Sequence, residues 1–200
     1  AIVLYAQMLR KASNLNNRQQ DQLATIQDQA RHATNLIRQI LDFSRRSVME
    51  KAPVDLSPLT KELIKLLERT LPENIRSTLN YDRNEYMVFG DATRLQQVLM
   101  NLALNARDAM PNGGDLRFAL SIVSTTPHQP PPLPDMTTGE WVCLMVSDTG
   151  VGIDAADLPH IFEPFFTTKF PDQGTGLGLA QVYGIVKQHD GFLTVNSQVD

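Results

Sequence analysis

"DQGTGLGLAQVYG", residues 172–184, sets three glycines at alternate positions, Gly174, Gly176 and Gly178, directly before an apolar segment that reads as a helix. Glycine at the threshold of a helix costs backbone entropy, so something must need the bare backbone. Anion binding is one such need, because unpaired N–H groups at a helix N-terminus can cradle phosphate oxygens. A loop before an ordinary helix is the plainer alternative, and the segment alone does not separate the two.

The rest of the chain narrows the choice. Its 200 residues are 42% hydrophobic and 20% charged, which fits a soluble globular protein able to bury a sizeable core. A net charge of −4 leaves no electrostatic footprint for nucleic acid, while a small local cradle can still hold a nucleotide. The single cysteine, Cys143, excludes an internal disulfide and reads as a small buried strand residue. No apolar run reaches the roughly 20 residues that span a bilayer, and no secretory leader is visible. A cytoplasmic, reducing setting is the expectation.

Residues 1–48 contain neither Gly nor Pro and read as helix throughout. Leu23, Ile26, Ala30, Ala33, Ile37 and Ile40 form a seam with alternating steps of three and four, which Leu36, Leu41 and Phe43 widen into a bundle face. The polar stretch "SNLNNRQQ", residues 13–20, marks the turn of a helical hairpin or its edge. A helix over residues 21–46 is about 40 Å long and needs a partner, most simply a second copy in a four-helix bundle.

Pro53 and Pro58 end the rod, and Ser57 is placed to cap an amphipathic helix carrying Leu63, Leu66 and Leu67. "IRSTLNYD" (75–82) and "YMVFGD" (86–91) alternate like the strands of a hairpin. "ATRLQQVLMNLALNARDAM" (92–110) is a long helix stopped by "PNGG". "DLRFALSIV" (115–123) and "WVCLMVSD" (141–148) are strands around a proline-rich insertion, residues 126–140, that reads as an exposed stiff connector. The last helix is expected from near Thr175, and "GFLTVNSQ" (191–198) as a final strand. Strands with helices between them indicate a mixed, layered domain.

Four segments carry chemistry. Asn101 and Asn105 are four residues apart and share a helix face, and an Asn carbonyl is a hard oxygen suited to Mg²⁺. In "SDTGVGI" (147–153) an apolar strand ends at Asp148, which can accept from an exocyclic amine, with Gly150 and Gly152 admitting a flat ring. An Asp-Thr-Gly turn without a ligand is the alternative. In "IFEPFFTTK" (161–169), Phe162, Phe165 and Phe166 read as a packed hinge with Lys169 free to reach an anion. The glycine segment is the fourth.

"NLALNARDAM", "DTGVGI", "FEPFFTTK" and "GTGLGL", in this order and spacing, resemble the N, G1, F and G2 boxes of sensor histidine kinases, whose superfamily includes gyrase, Hsp90 and MutL ATPases. "ATNLIRQILDFSRR" (33–46) is similar to the second helix of that family's dimerisation and phosphotransfer hairpin. The resemblance implies an α+β chain: a helical hairpin at residues 1–50, dimerising as a four-helix bundle, then a two-layer α/β sandwich of the histidine kinase/Hsp90-like type at residues 51–200.

By the same resemblance, ATP and Mg²⁺ are the cofactors. Asn105 is the metal ligand, and Asn101 and Asp108 lie on its helix near the phosphates. Asp148 binds the adenine amine beside Gly150, Gly152 and Ile153. Lys169, Gly174, Thr175, Gly176, Leu177 and Gly178 supply the lid end and the phosphate-binding helix start. The implied activity is protein-histidine kinase, with a homodimer through residues 1–50 and a response-regulator receiver domain as partners. An ATP-binding dimeric scaffold without phosphotransfer is the alternative.

Two departures stand out. The acceptor box, a His followed by an acidic residue, is absent. His32, His128, His160 and His189 do not match it, so the acceptor is expected upstream of Ala1, in the helix that "AIVLYAQML" continues. The chain also ends at Asp200, before the last strand expected of such a domain. A third point separates subgroups. The hydrolytic relatives resemble one another in a Glu one helical turn before the metal-binding Asn, whereas this chain has Asn101, which cannot act as a general base.

Overall fold

The computed structural model describes residues 5–6, 8–9, 15–44, 49–83, 85–127, 131–169 and 174–199; side chains at 28, 31–32 and 34–44 lie outside the description. The side chains of the seam residues Leu36, Ile37, Ile40, Leu41 and Phe43 and of His32, and the whole of His128, therefore fall outside it. The chain divides into two units, Ala1–Val48 and Met49–Asp200.

In the first unit, Tyr5, Ala6, Met8 and Leu9 are helical and α1 runs over Asn17–Ser44. A reciprocal pair of bonds starts α1. The Gln19 N–H donates to Asn16 Oδ1 at 2.9 Å, and the Asn16 N–H donates to Gln19 Oε1 at 3.0 Å. This is a capping box, and it satisfies two donors that a helix start leaves orphaned. Tyr5, Met8, Leu9 and Ile26 are exposed on this unit.

The second unit is a layer of strands covered by helices. Its elements are β1 (Ala52–Asp55), α2 (Leu56–Thr70), β2 (Ile75–Tyr81), β3 (Met87–Gly90), α3 (Ala92–Ala109), β4 (Gly114–Thr125), β5 (Gly139–Asp148) and α4 (Gly178–Gln188). The larger sheet has the order β2-β4-β5, with β2 parallel to β4 and β5 antiparallel to it. The parallel pair requires a crossover, and α3 lies within that connection. Leu63 and Leu67 of α2, Leu99 and Ala103 of α3, and Leu116 and Phe118 of β4 are fully or almost fully buried in one cluster. Burying each large side chain there contributes roughly 1.5–3 kcal/mol. A separate cluster of Val98, Val182 and Ile185 joins α3 to α4.

Several expectations are corrected here. The strands at 75–82 and 86–91 do not pair with each other. β3 instead pairs with β1, Pro53 opposite Phe89, in a two-stranded sheet of its own. Alternation along a strand fixes its faces and not its partner. Tyr86, which is fully buried, ties both sides: its hydroxyl accepts the N–H groups of Asp82 and Arg83, its N–H donates to Asp55 Oδ1 at the end of β1, and its carbonyl accepts the Leu56 N–H. That arrangement turns the chain away from β2. Pro53 lacks an N–H and sits on an outer strand, where none is needed.

The cap of α2 is Asp55 and not Ser57: Asp55 Oδ1 accepts from the N–H groups of both Ser57 (3.0 Å) and Tyr86 (2.9 Å). Leu66 is exposed, while Leu63 and Leu67 carry the buried stripe. Cys143 is on a strand but exposed, as is Met145 two residues on in the same alternation. Residues 191–199 form no strand. Their ties include a Phe192–Trp141 ring contact at 5.2 Å, Leu193 packed on the Val98–Val182 cluster, and the Ser197 hydroxyl, which accepts the Ile153 N–H at 2.8 Å. α4 begins at Gly178 and not near Thr175.

Candidate functional site

α3 has two opposed stripes. Leu99, Ala103, Ala106 and Met110 face the sheet, and Asn101, Asn105 and Asp108 lie on the other side at steps of four and three. The side-chain oxygen of Asp91 starts this helix, accepting from the N–H groups of Thr93 and Arg94.

The second stripe is turned toward the glycine segment. Asn101 Nδ2 donates to Gln181 Oε1 at 3.1 Å and reaches Gly178 O at 3.4 Å. Asn105 Nδ2 lies 3.6 Å from the point a Cβ on Gly178 would occupy, so the front of that glycine is open to it. Asp108 takes Lys169 Nζ at 2.7 Å.

α4 itself starts without a side-chain cap: Leu177 is its N-cap residue, is buried and offers no polar group. The first-turn N–H groups of α4 are thus left for water or an anion. Thr175 contributes a weak turn, its hydroxyl accepting the Leu177 N–H at 3.4 Å. Gly176 is held at φ +65°, and a Cβ there would lie 2.3 Å from the backbone carbon of Phe165, whose N–H donates to Gly176 O. No other residue fits at that crossing. Asp172 and Gln173 lie outside the described residues.

The second cluster is at the end of β5. Asp148 is exposed; its Oδ1 accepts the Gly150 N–H at 2.9 Å, and Oδ2 has no hydrogen-bond partner among the described residues. The glycines after it do a different task from the one expected. A Cβ on Gly150 would meet Ala109 Cβ and O at 2.7 Å, and one on Gly152 would meet Gln198 O at 1.9 Å. The space freed by the two glycines is filled by the protein's own chain. The Val151 N–H donates to Ala109 O at 3.0 Å, which joins this turn to the end of α3.

Two further expectations change. Lys169 is not free but paired with Asp108. Burial raises the pKa of the Asp108 carboxyl, but the hydrogen bonds and charges of Lys169 and Arg107 outweigh it and hold the group below its ordinary value. The three phenylalanines are not one packed hinge either. Phe162 lies on Tyr183 and Phe166 on His160, while Phe165 is exposed and held at φ +70°. A non-glycine residue there stores strain.

Gln181, Arg107, Ala109 and Ser197 were not anticipated from the sequence. Only Gln181 had a signal: it sits three residues after Gly178 and so shares that glycine's helix face. No group of three or more His, Cys, Asp or Glu side chains converges among the described residues. A divalent cation held by one Asn oxygen with phosphates and waters fits this donor set, as does an anion at the start of α4. No helix among the described residues is long and apolar enough to cross a membrane.

Comparison with known proteins gives the following. Residues 90–200 match the family model described as "Histidine kinase-, DNA gyrase B-, and HSP90-like ATPase", and residues 1–47 match "His Kinase A (phospho-acceptor) domain". The chain is 37% identical over 199 residues to the sensor kinase CckA of Brucella abortus (strain 2308), covering all of this chain and 21% of that protein. Among solved structures, the catalytic domain of the histidine kinase ThkA is 32% identical, with a TM-score of 0.56 and coverage of 70% of this chain and 82% of that one. ThkA in complex with the response regulator protein TrrA is 25% identical, with a TM-score of 0.65 over 95% of this chain and 50% of that one. The chain spans less than half the length of the curated relatives it matches.

Proposed function

This chain belongs to the sensor histidine kinase family, and on that footing we propose that it is a kinase core that binds Mg-ATP and passes its γ-phosphoryl group to a histidine outside these 200 residues, and thence to an aspartate of a response-regulator receiver domain. One observation carries the reading: on one stripe of α3, Asn101 and Asn105 are turned toward the uncapped start of α4 and Asp108 toward Lys169, beside the glycine segment. Bound Mg-ATP supplies the transferable phosphoryl group and the divalent charge that offsets its oxygens.

The chain's own residues hold and orient. The Asn105 amide oxygen serves as the metal ligand. The first-turn N–H groups of α4, with Gly174, Thr175, Gly176, Leu177 and Gly178 around them, take the phosphate oxygens, and Lys169 adds charge. Asp148 Oδ2 accepts the adenine amine, with Gly150, Gly152 and Ile153 shaping that end. Asn101 cannot activate water, and its amide is engaged with Gln181, so hydrolysis is not the main task. Residues 1–50 form the dimerisation unit and residues 51–200 the nucleotide-binding domain. The working compartment is the cytoplasm, where ATP is.

Titration of the 200-residue chain with a fluorescent ATP analogue in the presence of Mg²⁺ tests the reading. Binding is expected, with a loss of tenfold or more in Asn105→Ala, which removes the protein's metal ligand, and in Asp148→Ala, which removes a hydrogen bond to a charged group worth about 1.5–3 kcal/mol, and an unchanged circular dichroism spectrum in both. Unchanged affinity in both variants overturns the site assignment.

A further inference from the structure

Asp108, the last of the three residues on the outer stripe of α3, bonds to the segment before the glycines. Its Oδ2 takes Lys169 Nζ at 2.7 Å, and its Oδ1 takes Arg107 Nε and Nη2 at 2.9 and 2.6 Å. Each carboxylate oxygen thus carries one cation. The Lys169 stem lies against the glycine segment: a Cβ on Gly174 would sit 3.2 Å from Lys169 Cβ and 3.1 Å from Lys169 Cδ. Thr167 Oγ1, which accepts the Lys169 N–H at 3.2 Å, is 2.8 Å from the same point. Phe165 meets Gly176 through the bond from its N–H. The run 165–169 therefore lies along 174–176, and the Asp108 carboxylate ties that pair of segments to α3.

We propose that Asp108 is a positioning residue which holds the Lys169 ammonium beside Gly174, ready for the terminal phosphate of a nucleoside triphosphate, and so lets the site prefer a triphosphate over a diphosphate. The inference rests on the nucleotide reading above and replaces direct ligand binding by Asp108 with action through Lys169. An ammonium has three donors, and Asp108 uses one, which leaves two for an anion without breaking the pair. A lysine ordered beforehand has less rotamer freedom to surrender on binding. Arg107 offsets the carboxylate, so the cluster of two cations and one anion stays net positive toward phosphate. Fixed geometry then outweighs repulsion from Asp108.

The test is displacement of a fluorescent ATP analogue from the whole 200-residue chain by ATP and, separately, by ADP. Lys169→Met is expected to lower ATP affinity about tenfold with ADP little changed. Asp108→Asn is expected to lower the ATP-to-ADP preference about three- to tenfold, Asp108→Glu to restore most of it, and the double variant to match Lys169→Met. A merely structural role would move both nucleotides together. Equal losses for ATP and ADP in Asp108→Asn, an unchanged ratio, a gain in ATP affinity, or an added loss in the double variant each overturn the proposal. Failure of the unaltered chain to bind either nucleotide overturns the nucleotide reading and this inference with it. Binding with an unmoved ratio overturns this inference alone.

Discussion

His189 accepts the backbone N–H of Asp91 on Nε2 at 2.9 Å, which fastens the end of α4 to the residue that caps α3. Its Nδ1 lies 2.8 Å from Ile185 O, so Nδ1 carries the proton and the neutral tautomer is set by the fold. The ring also sits where a side chain on Gly90 would be, with Cδ2 only 2.7 Å from that point. Both ring nitrogens are thus committed to backbone groups. His189 resembles an acceptor only in having an acidic neighbour in sequence, Asp190.

Replacing His189 by Ala leaves the Asp91 N–H unpaired beside a new cavity. The expected cost is about 1–3 kcal/mol, seen as a fall of roughly 2–10 °C in the thermal midpoint. His189→Gln recovers part of it. Incubation with labelled ATP is expected to leave no acid-labile phosphate on His189, and labelling there would contradict the assignment of both nitrogens to structure.

Two glycines in neighbouring segments should respond with opposite signs. Gly176→Ala places a Cβ in the left-handed region and against the Phe165 backbone, so nucleotide affinity should drop about tenfold or more. Gly184→Ala lies within α4 with nothing near its Cβ position and should stabilise the chain by about 0.5–1 kcal/mol. Denaturant titration of the second and nucleotide titration of the first check the pair; destabilisation by Gly184→Ala would mean that face of α4 is not open.

The Asp108 carboxyl gives a pH signature. Its folded pKa is depressed, first against the opposing push of burial, by Lys169 and Arg107. A depressed acid contributes stability above its unfolded pKa, about 3.9, and loses that contribution as pH falls through the lower folded value. The stability difference between the unaltered chain and Asp108→Asn should therefore be constant near neutrality, at about 1 kcal/mol or less for a partly exposed pair. It should begin to shrink as pH falls past about 3.9 and vanish only once pH is below the depressed folded value. A difference that grows on acidification would reverse the sign and refute the pairing.

Assembly offers a fourth check. Tyr5, Met8, Leu9 and Ile26 leave apolar surface exposed on the helical unit of a single chain. We expect light scattering to give a dimeric mass for the 200 residues and a monomeric mass for residues 49–200. A monomeric full chain would remove residues 1–50 as the dimerisation unit.

The layered helix-and-strand architecture was legible because its signals are local. "PNGG" stops α3, alternation marks β4 and β5, and the heptad-like steps after Leu23 mark α1. Strand partnership was not legible, because the buried Tyr86 sends β3 to β1 through contacts remote in sequence. The ligand-facing stripe could be read at Asn101 and Asn105 from their spacing alone. The Asp108–Lys169 pair could not, since 61 residues separate its members. Gly150 and Gly152 show why a glycine is ambiguous in sequence: it signals that something comes close, without saying whether that is a ligand or the chain itself.

α3 serves the core with one stripe and the glycine segment with the other. Its length is therefore not adjustable. One residue inserted between Asn101 and Asn105 would turn everything after it by about 100°, carrying Ala106 and Met110 off the sheet in the same stroke that swings Asn105 and Asp108 away from α4 and Lys169. Folding and recognition in this helix would then fail together, so the site can be retuned by exchanging side chains but not by adding or removing residues.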